Sequence, residues 1–99
     1  MAYKVLWHES AVSDLKTLDR QIAGKIVERI KTHLVQQPDK LSKPLKGVLQ
    51  GLFRYRFGDY RIVFSIDRKE GRVSILHVAH RSEVYRVREG ESEPAADSD

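Results

Sequence analysis

Arginines recur in one short segment of the chain, Leu-Phe-Arg-Tyr-Arg-Phe-Gly-Asp-Tyr-Arg-Ile-Val-Phe-Ser-Ile at residues 52–66. Apolar and aromatic residues alternate with them, and a central Gly-Asp pair predicts a two-residue β-hairpin turn. In this register Arg56 lies directly opposite Arg61. Arg54 shares their face of the sheet because side chains alternate along a strand.

We call Arg54, Arg56 and Arg61 the arginine face. Like charges placed opposite each other cost on the order of 0.2–1 kcal/mol, so folding alone does not explain this cluster. Guanidinium groups bind phosphate oxygens through paired N–H donors, and they stabilise negative charge that develops during phosphodiester cleavage. A polyanionic ligand therefore accounts for three arginines in this place.

The other face of the hairpin is apolar, and two amphipathic helices precede it in the chain. The first begins at Glu9-Ser10, with Ser10 as its N-cap, and a turn at Asp19-Arg20 follows it. The second continues to about Gln36 with aliphatic residues at four-residue intervals, and it ends before Pro38. We expect both helices to cover the apolar face, which leaves the arginine face open.

The remaining segments complete an α+β fold. Residues 2–7 are predicted to form the first strand, and residues 37–51 a basic, irregular connection. A turn after the hairpin leads to a last long strand at 72–79, and residues 80–85 close the ordered region. The order βααβββ predicts two N-terminal helices packed on a small, mainly antiparallel sheet.

Charge divides the 99 residues into two parts. The chain has 18 basic and 14 acidic residues, and five of the acids lie from Glu89 onward, where there is no base. The part at 1–88 therefore has 18 basic and nine acidic residues, an excess of nine that suits a nucleic-acid binder. We expect one domain at 1–88 and a disordered acidic tail at 89–99.

Several classes of site and protein are excluded or disfavoured by the sequence. The chain has no cysteine, so it has no disulfide and no thiolate metal site. Its four histidines lack metal-ligand spacing; His77 and His80, three apart on a predicted strand, point to opposite faces. No glycine-rich phosphate loop, signal peptide or transmembrane run is recognisable. We expect a cytoplasmic protein without a metal or another cofactor.

Three separated motifs resemble the RelE/ParE toxin superfamily of toxin–antitoxin modules. They are Leu45-Lys46-Gly47, the segment Arg54-Tyr-Arg-Phe-Gly-Asp-Tyr-Arg61, and His80-Arg-Ser-Glu-Val-Tyr-Arg86. The resemblance extends over residues 2–86. It implies a RelE-like microbial RNase fold, a metal-independent activity and inhibition by a cognate antitoxin, which we expect an adjacent gene to encode.

The resemblance also implies roles for individual residues. Catalytic roles fall on Arg54, Arg56, Arg61, Arg81 and Tyr85: Arg61 would bind the scissile phosphate, Arg81 would stabilise the transition state, and Tyr85 would stack on or activate the nucleotide. RNA contacts fall on Lys43 and Lys46. His80 is a further RNA-binding candidate, because imidazole titrates near neutral pH. Arginine keeps its proton in proteins, so the general base stays open.

The leading functional hypothesis is a ribosome-dependent endoribonuclease that cleaves mRNA in the A site by attack of the 2′-hydroxyl. Its partners would be the ribosome, mRNA and the antitoxin, with no membrane. One alternative is a ParE-like toxin that inhibits DNA gyrase. Another is a non-catalytic RNA-binding module, which the arginine face alone would satisfy.

Overall fold

The computed structural model describes residues 2–80. Its helices and strands are β1 Lys4–Trp7, α1 Glu9–Lys16, α2 Arg20–Thr32, α3 Pro38–Leu41, β2 Lys43–Pro44, β3 Phe53–Phe57, β4 Tyr60–Asp67 and β5 Arg72–His80, with 3-10 turns at Leu34–Gln36 and Gly47–Leu49. The strands form one five-stranded sheet in the order β1-β5-β4-β3-β2. The predicted α+β class, with two helices on a small sheet, is confirmed.

The sheet is antiparallel except at one edge. There β1 runs parallel to β5, with Lys4 opposite Arg72 and Trp7 opposite Ile75. The first strand therefore pairs with the last, and the chain between them returns through both helices and the hairpin. At the opposite edge, β2 is only two residues long and includes Pro44, which limits pairing with another chain.

The predicted hairpin and its register are confirmed. Phe53 lies opposite Phe64, and Arg56 lies opposite Arg61. Gly58 has a φ of 60°, whereas no residue other than glycine has a positive φ within residues 2–80. A positive φ at the first turn position alone is the type II′ pattern, which suits the twist of the two strands.

The core lies between the helices and the apolar face of the sheet. Ile26 and Ile30 of α2 are fully buried there against Ile62 and Phe64 of β4. Burying an aliphatic or aromatic side chain of this size contributes roughly 1.5–3 kcal/mol. The helices thus cover the face that the sequence predicted, and the arginine face lies on the other side of the sheet.

Helix α1 begins at Glu9, within the predicted Glu9-Ser10 start, but the predicted N-cap, Ser10, is wrong by two residues. His8 is the N-cap: its backbone is extended, and its side chain accepts a hydrogen bond from the backbone N–H of Ser10. The Ser10 hydroxyl instead donates to the carbonyl of Leu76 on β5, 3.1 Å away. A contact with the sheet therefore occupies the side chain that the sequence assigned to capping.

The predicted end of α2 is also wrong. The helix ends at Thr32 rather than near Gln36, and a 3-10 turn follows at once. Leu34 remains fully buried because this turn keeps its side chain against the core. Pro38 does not mark the end of α2 but begins the one-turn helix α3, where its missing N–H costs nothing.

Candidate nucleic-acid interface and active site

The arginine face is assembled as predicted, but it is not open. Arg54 is 4% exposed and Arg61 is 3% exposed, whereas Arg56 is exposed to solvent. The alternation of residues predicts which face a side chain occupies, and it carries no information about what covers that face. The expectation of three solvated guanidinium groups is therefore wrong for two of them.

Burial changes what these groups can do. A buried guanidinium is costly unless it has partners, and all three members of the arginine face have interaction partners. Charges in such a water-poor place also act on one another and on a ligand more strongly than charges in water do. Arg54 and Arg61 are thus buried charges beside the exposed Arg56.

Two further side chains extend the arginine face along the sheet. Lys43 of β2 is paired with Arg54, so its side chain lies on the same face at the edge of the sheet. On its other side Arg54 is paired with the buried Val63 of β4, and Val63 is paired in turn with His77 of β5. Lys43, Arg54, Val63 and His77 therefore form one row across four strands.

The other predicted RNA contacts lie apart from this row. Lys46 is exposed and precedes the 3-10 turn after β2. His80 is paired with Tyr60, on the face of the sheet that bears the helices, and the two rings meet edge to face with their centroids 5.4 Å apart. The structure does not bring His80 onto the arginine face.

Arg81 and Tyr85, the other two predicted catalytic residues, lie outside the described residues. The same holds for the predicted domain end at residue 88 and for the acidic tail. No group of three or more histidine, cysteine, aspartate or glutamate side chains within residues 2–80 is arranged to hold a metal ion. Over the same range, no helix is long and apolar enough to cross a membrane.

Tyr55, between Arg54 and Arg56 on β3, connects the arginine face to the helices. Its ring is buried, and its hydroxyl accepts a hydrogen bond from Nε of Arg29 at 3.1 Å. Nδ1 of His33 lies 2.7 Å from the same hydroxyl. The strand that carries two of the three arginines is therefore tied to the end of α2.

A β-bulge positions the last strand. Val63 pairs with His77 and Phe64 with Ile75, which leaves Leu76 as an extra residue in β5. A side chain of α1 hydrogen-bonds to β5 beside the bulge: Oδ2 of Asp14 accepts the backbone N–H of Val78 at 3.0 Å. Nδ1 of His77 lies 3.4 Å from the same oxygen.

The contact between Asp14 and His77 was not predicted from the sequence. The available signal was the spacing of Ser10 and Asp14, four residues apart, which puts both polar side chains on one face of α1. Both then meet β5 at the bulge. Polar residues on a helix face that packs beside a strand indicate hydrogen bonds to that strand's edge.

Known proteins match this chain over most of its length. A family described as the ParE toxin of type II toxin–antitoxin systems matches residues 5–85. The chain belongs to this toxin family. The predicted resemblance to the RelE/ParE superfamily is thereby confirmed.

Relatives of the toxin bear RelE-type names. This chain is 42% identical over 85 residues to Toxin RelE of Mycobacterium tuberculosis. That match covers 86% of this chain and 88% of the relative. It is also 37% identical over 86 residues to Toxin RelG of the same organism. That match covers 87% of this chain and 99% of the relative. The chain is therefore a type II toxin of RelE type.

A solved structure agrees with this assignment. The toxin is similar to a chain in the crystal structure of the toxin–antitoxin complex RelBE2 from Mycobacterium tuberculosis, with a TM-score of 0.78 and 35% identity. The similarity covers 81% of this toxin and 99% of that chain. The fold of the sheet and helices is thus that of RelE-type toxins.

Proposed function

We propose that this toxin is a metal-independent endoribonuclease that cleaves mRNA in the A site of the translating ribosome. The observation that carries the proposal is the position of Arg56 directly opposite Arg61, with Arg54 on the same face. Three guanidinium groups on a rigid sheet suit the binding of a phosphodiester. They also suit stabilisation of the charge that develops when the RNA 2′-hydroxyl attacks phosphorus.

The different burial of the arginines suggests an order of contacts. Arg56 is exposed and would meet an approaching phosphate first. Arg54 and Arg61 already have partners, so the phosphate would replace those partners when RNA binds. Because these two groups are already largely desolvated, little further desolvation would be needed at the moment of reaction.

The residues outside this trio have proposed roles that follow from the family. Arg81 would stabilise the transition state, and Tyr85 would stack on or activate the nucleotide. Lys43 and the exposed Lys46 would contact RNA beside the site. His80 would reach RNA only from the end of the sheet, because its ring faces Tyr60.

The proposal is tested by mapping cuts on a message during translation. Primer extension after induction of the toxin is compared with primer extension on naked RNA incubated with the purified protein. We expect cuts within codons only on the translated message. Gyrase-dependent DNA breaks with an intact message would instead establish the ParE-like alternative, and RNA that is bound but never cut would establish a non-catalytic module.

Variants of Arg61 test the assignment of the site. Arg61→Ala should reduce cleavage by about 10²–10³-fold, since one centre of charge stabilisation is lost. Arg61→Lys keeps the charge without the paired donors and separates loss of geometry from loss of charge. Thermal melts check the fold, because Arg61 is buried.

Arg72→Ala is the matched control for Arg61. Arg72 is exposed, and its ion pair with Asp67, at 3.4 Å, lies at the surface. Such pairs contribute little to stability, so this variant should keep full activity. Full toxicity of Arg61→Ala at equal expression would contradict the site assignment. The same comparison applies to Arg81→Ala.

We also propose that a cognate antitoxin, encoded by an adjacent gene, inhibits the toxin. An apolar groove of about 570 Å³ lies along α2, lined by Arg20, Ala23, Gly24, Val27, Glu28, Lys31 and Thr32. Its rim has two basic residues and one acidic residue, which favours a partly acidic segment of the antitoxin that folds on contact. The similar chain of known structure was itself solved in a toxin–antitoxin complex.

Co-expression with the neighbouring gene tests this partner. Co-purification of its product together with rescue of growth would support the proposal. Growth of cells that express the toxin alone at high level, with no neighbouring partner, would contradict the toxin–antitoxin arrangement for this chain.

A further inference from the structure

The proposed cleavage needs a group that accepts the proton of the RNA 2′-hydroxyl, and the arginine face cannot supply it. Guanidinium groups stay protonated and have no acceptor atom, and the ammonium group of Lys43 likewise only donates hydrogen bonds. An imidazole is the usual side chain for proton transfer near neutral pH. All four histidines of the chain lie within the described residues.

Three of these four imidazoles are turned away from the arginine face. His33 contacts the Tyr55 hydroxyl on the side of the helices. His80 faces Tyr60 on that same side of the sheet. His8 caps the start of α1 and lies 3.0 Å from the Ser10 hydroxyl. Each therefore has a place away from the proposed phosphate site.

His77 is the histidine that the register places on the arginine face. It pairs with Val63, and Val63 pairs with Arg54. Arg61 pairs with Ala79, so His77 is also the diagonal neighbour of Arg61 on the adjacent strand. The Cα atoms of diagonal neighbours lie about 7–8 Å apart. The His77 side chain is 58% exposed, so a substrate can reach it.

Asp14 gives this imidazole a defined orientation. Its Oδ2 lies 3.4 Å from Nδ1 of His77, and the same oxygen is fixed by the N–H of Val78 at 3.0 Å. A carboxylate at Nδ1 favours the tautomer with the proton on Nδ1. Nε2 then has its lone pair available as an acceptor. The 3.4 Å separation is long, as is common before a substrate binds.

We infer that His77 is the general base of the cleavage and that Asp14 is its positioning residue. This inference rests on the proposed endoribonuclease function. Nε2 of His77 takes the proton from the 2′-hydroxyl, the 2′-oxygen forms a bond to phosphorus, and the bond from phosphorus to the 5′-oxygen breaks. The products are a 2′,3′-cyclic phosphate and a 5′-hydroxyl, whose proton comes from solvent water, and His77 returns its proton to solvent.

The primary test is single-turnover cleavage of mRNA on programmed ribosomes across a range of pH. His77→Gln should lower the rate about 10²–10⁴-fold, which is the usual contribution of a general base. Ribosome binding, measured by sedimentation, should not change. His8→Asn, which keeps a side-chain acceptor at the N-cap, is the matched control and should cleave at the wild-type rate.

The pH profile separates chemistry from structure. The charged groups that face His77 from packed elements of the described part are Asp14 on α1 and, diagonally on β4, Arg61, while the directly opposite Val63 is apolar. The wild-type rate should fall as pH is lowered, because a protonated imidazole accepts no proton. His77→Gln should lose this fall, and added imidazole should partly restore the rate of His77→Gly.

A double-mutant cycle tests the role of Asp14. Asp14→Asn keeps an oxygen for the Val78 N–H, and it should slow cleavage in the wild-type background but not in the His77→Gln background. An equal loss in both backgrounds would show that Asp14 acts only through structure, and would overturn its positioning role.

The remaining outcomes distinguish two failures. If wild type cleaves and His77→Gln cleaves equally fast with the same pH profile, the general-base assignment is overturned and the proposed function stands. If wild-type toxin cleaves no mRNA on any ribosome complex, the proposed function is overturned, and the assignment of His77 falls with it.

Discussion

Replacing Tyr55 with phenylalanine removes the hydroxyl that ties β3 to α2 and leaves the buried ring in place. Two contacts are lost, the 3.1 Å hydrogen bond from Arg29 and the 2.7 Å contact with His33. We expect a less stable toxin with an unchanged fold, because the ring still fills the same space in the core.

The expected loss follows from the surroundings of each contact. A hydrogen bond between uncharged groups contributes about 0.5–1.5 kcal/mol, and a bond to a charged group about 1.5–3 kcal/mol. Arg29 is exposed and can bind water once the hydroxyl is gone, so its share lies below that range. The free energy of unfolding should therefore fall by about 2 kcal/mol.

Urea denaturation followed by circular dichroism measures this loss. The midpoint should fall without a change of slope, since the surface exposed on unfolding is the same. For a domain of this size, about 2 kcal/mol corresponds to a fall of roughly 8–16 °C in melting temperature.

Tyr3→Phe is the matched control for Tyr55→Phe. Tyr3 is half-buried, and its hydroxyl makes no hydrogen bond with another residue of 2–80, so its removal should change stability by less than about 0.5 kcal/mol. If the two variants were equally stable, the bonds to the Tyr55 hydroxyl would contribute nothing to stability, and Tyr55 would not tie β3 to α2.

Two further substitutions test the local structure. Asp19→Ala removes the N-cap of α2, whose carboxylate accepts the N–H of Gln21 at 2.8 Å, and should cost about 1 kcal/mol in urea denaturation, whereas Asp19→Asn should cost much less. Gly58→Ala puts a side chain at a φ of 60° and should also cost about 1 kcal/mol, while Asp59→Ala, at a position without a positive φ, should be nearly neutral. A neutral Gly58→Ala would contradict the type II′ turn.

The hairpin was predictable in detail because its determinants are local. The alternation of side chains sets the faces, and the Gly-Asp turn sets the register, so the pairing of Arg56 with Arg61 followed from adjacent residues. The end of α2 was not predictable in this way. Hydrophobic spacing indicates that Leu34 is buried, but both an α-helix and a 3-10 turn can bury it.

Features that depend on distant parts of the chain were beyond local reasoning. The parallel pairing of Lys4 with Arg72 joins residues from the two ends of the described chain. The burial of Arg54 and Arg61 depends on what lies above the second face of the sheet. Likewise, the Ser10 hydroxyl bonds to the Leu76 carbonyl on β5, a partner that the neighbouring residues of α1 do not predict.

The bulge at Leu76 determines which side chains of β5 can take part in the proposed chemistry. Phe64 pairs with Ile75, so an uninterrupted ladder would place His77 opposite Ile62, on the face of the core. The extra residue shifts the pairing register of β5 by one residue. His77 therefore lies opposite Val63, and the side chain of Val78 lies in the core. A one-residue shift moves every following side chain to the other face. Both the packing of the last strand and the composition of the arginine face therefore depend on one unpaired residue, whose carbonyl α1 satisfies through Ser10.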